Sequence, residues 1–324
     1  MAFERFKKVH NTNILVIGDI MLDHYVYGVC NRISPEAPVP IIEFRSDSKM
    51  LGGAGNVIKN LKKFGTKCDL ITVIGDDETG NDVLELLKDQ NIDINFIIKD
   101  YTRKTTSKQR FIASNQQLIR IDKESQSFID RNIQNIILEK ILSSIEKYDI
   151  VLISDYLKGV LTNDLCQEII SICRKNKVLV IVDPKGVDFQ KYSFANIIKP
   201  NLKEFEQIIQ SKLANQDSIK TAANMLKKEL KLDALIVTLG ADGIFYSDKL
   251  DKFCPTLSSN VIDVSGAGDT VLASLGVCLA CNFNIEEACL FANAAASIVI
   301  SKFGTEATNI DDVIEVLISQ GHSW

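Results

Sequence analysis

The most compact chemical signal is Asp263-Val264-Ser265-Gly266-Ala267-Gly268-Asp269-Thr270, followed by an apolar run of helical character. Two glycines let a backbone turn tightly and approach a ligand closely. A helix starting there aims unpaired N–H groups and the positive end of its dipole at one point, which suits an anion such as a phosphoryl group in transfer. Asp269 falls on the first turn beside that point, where a carboxylate can take a proton from an attacking hydroxyl. An acid at a helix start is also stabilised by the dipole with no chemistry at all, so the motif alone leaves both readings open.

Four further groups carry polar chemistry. Leu51-Gly52-Gly53-Ala54-Gly55-Asn56 precedes a helix and would bring backbone N–H groups and the Asn56 amide to a polyhydroxylated ligand, or simply be a tight turn with close packing. Asp19 and Asp23 follow the first apolar run, and carboxylates past the carboxyl end of a parallel strand lie where α/β proteins bind ligands. Asp23 could accept hydrogen bonds from sugar hydroxyls or cap a loop. Lys199-Pro200-Asn201-Leu202-Lys203-Glu204 has capping-box spacing between Asn201 and Glu204, and the same residues suit an outer-shell hold on nucleotide-bound Mg²⁺. Thr238, Gly240 and Gly243 end a strand in a glycine turn, which fits a nucleotide edge and a hairpin equally.

Absences narrow the choice. No G-x-x-x-x-G-K-[ST] occurs, and no complete G-x-G-x-x-G follows the first strand, which disfavours P-loop and classical dinucleotide sites. His10, His24 and His322 are scattered and form no metal triad. Eight cysteines are spread along the chain, and the Cys278-x-x-Cys281 pair sits in an apolar helical run, so they read as core hydrophobes of a reducing compartment.

The elements that must position these residues follow a rhythm. Ile14–Ile17, Leu70–Ile74, Ile150–Ile153, Val178–Val182 and Leu235–Val237 are continuous apolar runs, as in strands buried on both faces. Amphipathic helices lie between them, with Asp130, Thr162 and Asn284 as N-caps. That alternation predicts an α/β fold, a mostly parallel central sheet with helices on both faces. Residues 25–45 and 103–122 instead alternate polar and apolar, which predicts a small separate β-sheet lid. No repeat or flexible linker stands out, so residues 1–324 read as a single domain.

Length and charge agree. A chain of 324 residues can bury one large core. Its net charge of −5 argues against a nucleic-acid partner. No apolar run of about 18 residues occurs to span a membrane. The first eight residues lack the apolar core of a signal peptide, which predicts a cytoplasmic protein.

In this order, the Gly52–Asn56 and Gly266–Asp269 motifs resemble the two signatures of the ribokinase (PfkB) family of sugar kinases. The stretches Gly18–Asp23, Arg32–Pro40, Asn115–Arg120, Ser154–Gly159, Asp183–Gly186 and Phe291–Ala296 are similar to its branch of D-glycero-β-D-manno-heptose 7-phosphate kinases. The likeness runs from about residue 10 to about 318. It departs at Ser265, where Thr is common, at Gly55, where Ala is common, and at Leu239–Gly243, which look more like general ribokinases.

The resemblance implies a ribokinase-like three-layer fold. It also implies ATP-dependent phosphorylation of the anomeric O1 of heptose 7-phosphate, feeding the ADP-heptose of lipopolysaccharide core. Asp269 would be the general base, and Gly266, Ala267 and Gly268 the anion hole. Asn201, Leu202, Lys203 and Glu204 would lie at the nucleotide, with Asn201 and Glu204 ordering Mg²⁺ through water; Thr238, Gly240, Gly243 and Asn293 would flank the nucleotide. Asp23, Gly52, Gly53 and Asn56 would hold the sugar. Lys185, Arg120 and Arg32, chosen for charge within the branch-like stretches, are the candidates for the 7-phosphate, each equally readable as half of a surface ion pair.

Related kinases often pair through such lids, so the resemblance implies a homodimer, and some use a monovalent cation such as K⁺. In many a nucleotidyltransferase domain follows; these 324 residues carry no H-x-G-H motif, so adenylyl transfer is not expected of them. They read as a stand-alone kinase or the kinase half of a longer protein. The alternatives are a kinase of another sugar phosphate and a non-catalytic sugar- or nucleotide-binding regulator.

Overall fold

The computed structural model describes residues 2–114, 116–257, 261–302 and 304–322. Asn115, part of one branch-like stretch, lies outside the described residues. The strands are β1 (Asn13–Gly18), β2 (Ile20–Ile33), β3 (Pro40–Gly53), β4 (Lys67–Gly75), β5 (Ile97–Asp100), β6 (Ser107–Ala113) and β7 (Gln116–Lys123), then β8 (Ile150–Ser154), β9 (Leu179–Asp183), β10 (Ile197–Ile198), β11 (Ala234–Thr238), β12 (Ile244–Ser247) and β13 (Asp251–Cys254). The helices are α1 (Ala2–Phe6), α2 (Ala54–Phe64), α3 (Glu78–Asp89), α4 (Arg131–Leu142), α5 (Asn163–Lys175), α6 (Leu202–Ile208), α7 (Gln216–Glu229), α8 (Ala267–Ala280), α9 (Ile285–Val299) and α10 (Ile310–Ser319).

Nine strands form one sheet in the order β13-β12-β11-β10-β9-β8-β1-β4-β5. It is parallel from β11 to β5, and β12 and β13 add an antiparallel edge. The continuous apolar runs are explained by their two faces. On β1, Ile14 and Val16 pack with Val57 and Leu61 of α2 and Leu272 and Leu275 of α8. Leu15 and Ile17 point the other way, into a core with Ile137 of α4, Leu165 and Ile169 of α5, and Leu226 of α7. Successive strand residues therefore serve opposite layers, and the result is three layers, helix–sheet–helix. Each fully buried Ile or Leu contributes about 1.5–3 kcal/mol over leaving it exposed.

The expected caps form. Asp130, Thr162 and Asn284 accept from the backbone N–H of Ile133, Leu165 and Glu287. Among the described residues no helix is long and apolar enough to cross a membrane.

The second sheet, β3-β2-β6-β7, is the small separate one expected, with different bounds. Its first two strands span Ile20–Ile33 and Pro40–Gly53, pairing from Ile20↔Gly53 to Ile33↔Pro40. Two readings are corrected by that pairing. Asp23 lies within a strand rather than a loop, and Leu51, Gly52 and Gly53 end β3 rather than forming a turn. Backbone pairing carries this ladder through glycines and charged residues whose side chains give no strand signal.

Candidate active site

The polar residues gather at the carboxyl ends of the parallel strands, where open α/β sheets bind ligands. A chain of buried hydrogen bonds brings the two glycine motifs together, although Asn56 and Asp269 are 213 residues apart. Thr270 Oγ1 on α8 donates to Asn60 Oδ1 on α2 at 3.0 Å, and Asn60 Nδ2 donates to the Asn56 carbonyl at 2.9 Å. Asn56 Nδ2 then donates to Asp269 Oδ2 at 2.8 Å. Gly266 is the N-cap of α8, with φ +79°. A Cβ there would lie 2.5 Å from Asn56 Nδ2, so a side chain would push Asn56 off the aspartate.

Asp269 is 3% exposed. Burial, with help from nearby Asp183, pushes its carboxyl up to about 7, against the lowering effect of its hydrogen bonds and Lys199. Its Oδ1 accepts from the Tyr156 hydroxyl at 2.8 Å. The first turn of α8 supplies free donors. The Ala267 N–H turns back to the Val264 carbonyl at 3.3 Å, whereas those of Gly268 and Asp269 have no partner among the described residues.

Tyr156 was not singled out for a role from sequence. Its loop is held by Asp19, whose buried carboxylate accepts the N–H groups of Tyr156, Lys158 and Val160 at 2.8, 3.1 and 3.2 Å. Behind it, Asp155 is closed in by Lys191 Nζ at 2.6 Å and the Tyr192 hydroxyl at 2.7 Å.

On one side of Asp269 lies a cleft of about 770 Å³. Eight of the residues expected at the nucleotide and the anion hole line it together, Ala267, Gly268, Asn201, Glu204, Thr238, Gly240, Gly243 and Asn293, and so does Lys185. Ile244, Val264, Val271 and Ile300 add apolar walls. Leu202 and Lys203 are on α6 but not among its lining. The turn after β11 is a hairpin into β12 that also borders the cleft, so both readings of Thr238–Gly243 coexist. Asn293 Nδ2 donates to the Pro255 carbonyl at 2.5 Å.

Lys199, absent from the sequence-based site, is 2% exposed and pairs with Asp183 Oδ1 at 3.0 Å. A Cβ on Gly268 would sit 3.8 Å from its Nζ, so this buried cation stands at the start of α8. The capping box is real: Asn201 Oδ1 accepts from Glu204 N, and Glu204 Oε2 from Asn201 N, both at 2.9 Å. The other Glu204 oxygen takes Lys185 Nζ at 2.5 Å.

On the other side lies the lid. Asp23 is 6% exposed and accepts from Arg110 Nη1 at 2.5 Å. A Cβ on Gly52 would fall 2.3 Å from Asp23 Oδ2, so glycine is required beneath that carboxylate. Gly53 follows at the strand end, with its Cβ direction facing the Asp19 carbonyl and Tyr156. Asn56 Oδ1 is buried without a partner among the described residues, an acceptor facing an unmet need.

The three proposed phosphate cations are not gathered. Lys185 lines the 770 Å³ cleft. Arg120 makes a two-pronged contact with Asp122 on β7. Arg32 lies nine residues beyond Asp23 on β2, roughly 30 Å along the strand. A second groove of about 760 Å³, lined by Val187, Leu213 and Met225, lies beside α7, away from these groups.

Comparison with known proteins agrees with this geometry. The pfkB family carbohydrate kinase model matches residues 11–312. "Bifunctional protein HldE" of Sulfurimonas denitrificans is 43% identical over 308 residues, covering 95% of this chain and 65% of that protein. The protein of the same name from Campylobacter fetus is 45% identical over 293 residues, 90% of this chain and 64% of its own length. The chain thus spans about two thirds of the length of these relatives.

Among solved structures, Escherichia coli phosphofructokinase-2 in complex with potassium superposes with a TM-score of 0.80 at 21% identity, covering 96% of this chain and 99% of its own. Arabidopsis thaliana ribokinase complexed with ribose and ATP gives 0.74 at 19%, covering 94% and 98%. The likeness shows the fold: this chain, with three layers and a separate small sheet, is ribokinase-like. With its family match spanning nearly its whole length, the chain belongs to the PfkB family of carbohydrate kinases.

Proposed function

We propose that this kinase phosphorylates the anomeric O1 of D-glycero-β-D-manno-heptose 7-phosphate with ATP, giving the 1,7-bisphosphate and ADP. The observation that carries the reading is Asp269: a buried carboxylate on the first turn of α8, between the cleft and the lid, with free N–H groups beside it. The heptose branch is supported by the sequence stretches named above and by relatives at 41–45% identity called HldE.

In this mechanism Asp269 takes the proton of the O1 hydroxyl as O1 attacks the γ-phosphorus. The bond from that phosphorus to the β–γ bridging oxygen breaks, and ADP departs. The Gly268 and Asp269 N–H groups and Lys199 face the charge on the transferring group. Asp23 and the free Asn56 Oδ1 accept sugar hydroxyls, with Gly52 and Gly53 giving them room. The donor chemistry also fits magnesium: Asp183 and Glu204 are cleft carboxylates already steadied by lysines, suited to holding the ion through water. Magnesium bound with the nucleotide would neutralise phosphate charge.

Exposed Phe44, Ile119 and Ile121 on the lid support pairing of two copies through that sheet. ADP release with Mg-ATP is the test, with and without K⁺, across heptose 7-phosphate, fructose 6-phosphate, sedoheptulose 7-phosphate and ribose. Turnover confined to heptose 7-phosphate is expected; preference for another sugar overturns the substrate, and no turnover by folded protein overturns the reading.

A further inference from the structure

The lid face toward Asp269 carries a charge pattern with one member left over. Asp23 on β2, Lys108 on β6 and Asp122 on β7 are opposite one another in register, about 5 Å apart from strand to strand. Arg110 and Arg120 face each other two residues along. Side chains two apart share a face, so these five belong to one surface. That surface looks at the site, because Asp23 lies over Gly52 and Thr305, whose methyl borders Gly266, donates its hydroxyl to Met50, the residue paired with Asp23.

Each other cation here has a carboxylate: Arg110 has Asp23 at 2.5 Å, Arg120 has Asp122 at 2.8 Å, and Lys158, on the Tyr156 loop, has Glu124 at 2.5 Å. Among the described residues Lys108 has no ion-pair partner. It is partly buried, and that burial, with smaller help from Lys158 and Arg120, presses its amine below the usual lysine range against the pull of Asp23 and Asp122. Its two carboxylate neighbours are each taken by an arginine, so this half-buried ammonium gains if a further anion joins it.

The groups also run in order. Tyr156 touches Asp269 and feels the charge of Asp23, and Asp23 neighbours Lys108. A sugar with its reacting hydroxyl at Asp269 and its ring hydroxyls at Asp23 extends its far end toward Lys108.

We infer that Lys108, flanked by Arg120 and Lys158, receives the terminal phosphate of the sugar substrate and sets the preference for a phosphorylated sugar. The inference rests on the sugar-phosphate reading above and moves the phosphate from Lys185 in the cleft and Arg32 at the far end of β2 to Lys108 on β6.

The test compares kcat/KM for heptose 7-phosphate and for the unphosphorylated heptose. In Lys108→Met the ratio between the two sugars should fall about 10- to 100-fold, mostly through KM, the range one charge-assisted hydrogen bond supports. Lys108→Arg should keep the ratio within a few-fold. If Lys108→Met does not fold, as judged by its thermal melt, Lys108→Gln is read in its place. An unaltered ratio overturns the inference alone, as does equal loss on both sugars or a collapse in Lys108→Arg. Wild-type enzyme that prefers the unphosphorylated sugar overturns the inference and the substrate reading together.

Discussion

Lys191 and Asp155 meet at 2.6 Å behind the end of β8, with side chains 3% and 1% exposed, whereas Arg120 and Asp122 meet at 2.8 Å on the lid with 47% and 31% exposed. The chemistry is the same and the setting is opposite. The first pair is sealed under the loop that presents Tyr156 to Asp269, and Tyr192 adds a third contact to the same carboxylate. The second lies on a strand whose eight residues are all exposed. The central sheet is thus a desolvated frame that fixes Asp269, the carboxylate proposed as the base. The outer strand of the lid has no such seal, and its ion pair lies open to solvent. In this account the frame does the chemistry and the lid chooses the sugar.

Removing the base breaks the comparison most sharply. Asp269→Asn should lower kcat by about 10²–10⁴-fold, while ATP affinity measured by calorimetry stays within a few-fold. A loss confined to KM would put the chemistry elsewhere. The next effect is on stability. Lys191→Met leaves the Asp155 carboxylate buried without its cation and should cost about 3–5 kcal/mol in denaturant unfolding. Arg120→Gln, on the exposed pair, should cost about 0–1 kcal/mol. Similar costs for the two would contradict the contrast between frame and lid. Tyr156→Phe should be milder, lowering kcat about 3- to 10-fold in steady-state assays. It removes one donor from the ionised carboxylate and leaves the Asn56 contact in place.

The frame was legible in the sequence because burial on both faces writes continuous apolar runs, and because caps such as Asp130 and Asn284 announce helix starts. The cleft was legible for a related reason: Asn201, Glu204, Thr238 and Gly268, which line it, belong to compact motifs at strand ends. Tyr156 and Lys199 were not, since a tyrosine or lysine in a loop carries no local sign that it will meet a carboxylate 113 residues away or be buried against Asp183. The lid was only partly legible. Its alternation marked the middle of the strands, but Asp23, Gly52 and Gly53 read as loop chemistry although backbone pairing runs through all three. Lys108 stood in a recognised β-like run, yet its isolation from carboxylates exists only once three strands are aligned.

The pH dependence of kcat/KM, measured from about pH 5 to pH 9, tests the assignment of Asp269 most directly. Its folded value of about 7 lies above its unfolded 3.8, so the fold holds that proton more tightly. This group's contribution to stability is therefore complete below about pH 4 and is lost as pH rises through 7, while its ability to accept a proton grows over the same interval. A single acid limb near pH 7, about tenfold per pH unit below it, is the predicted result, moved upward in Tyr156→Phe by loss of the hydrogen bond that favours the ionised form. A profile flat down to pH 5, or one unmoved by Tyr156→Phe, would contradict a buried carboxylate acting as the base.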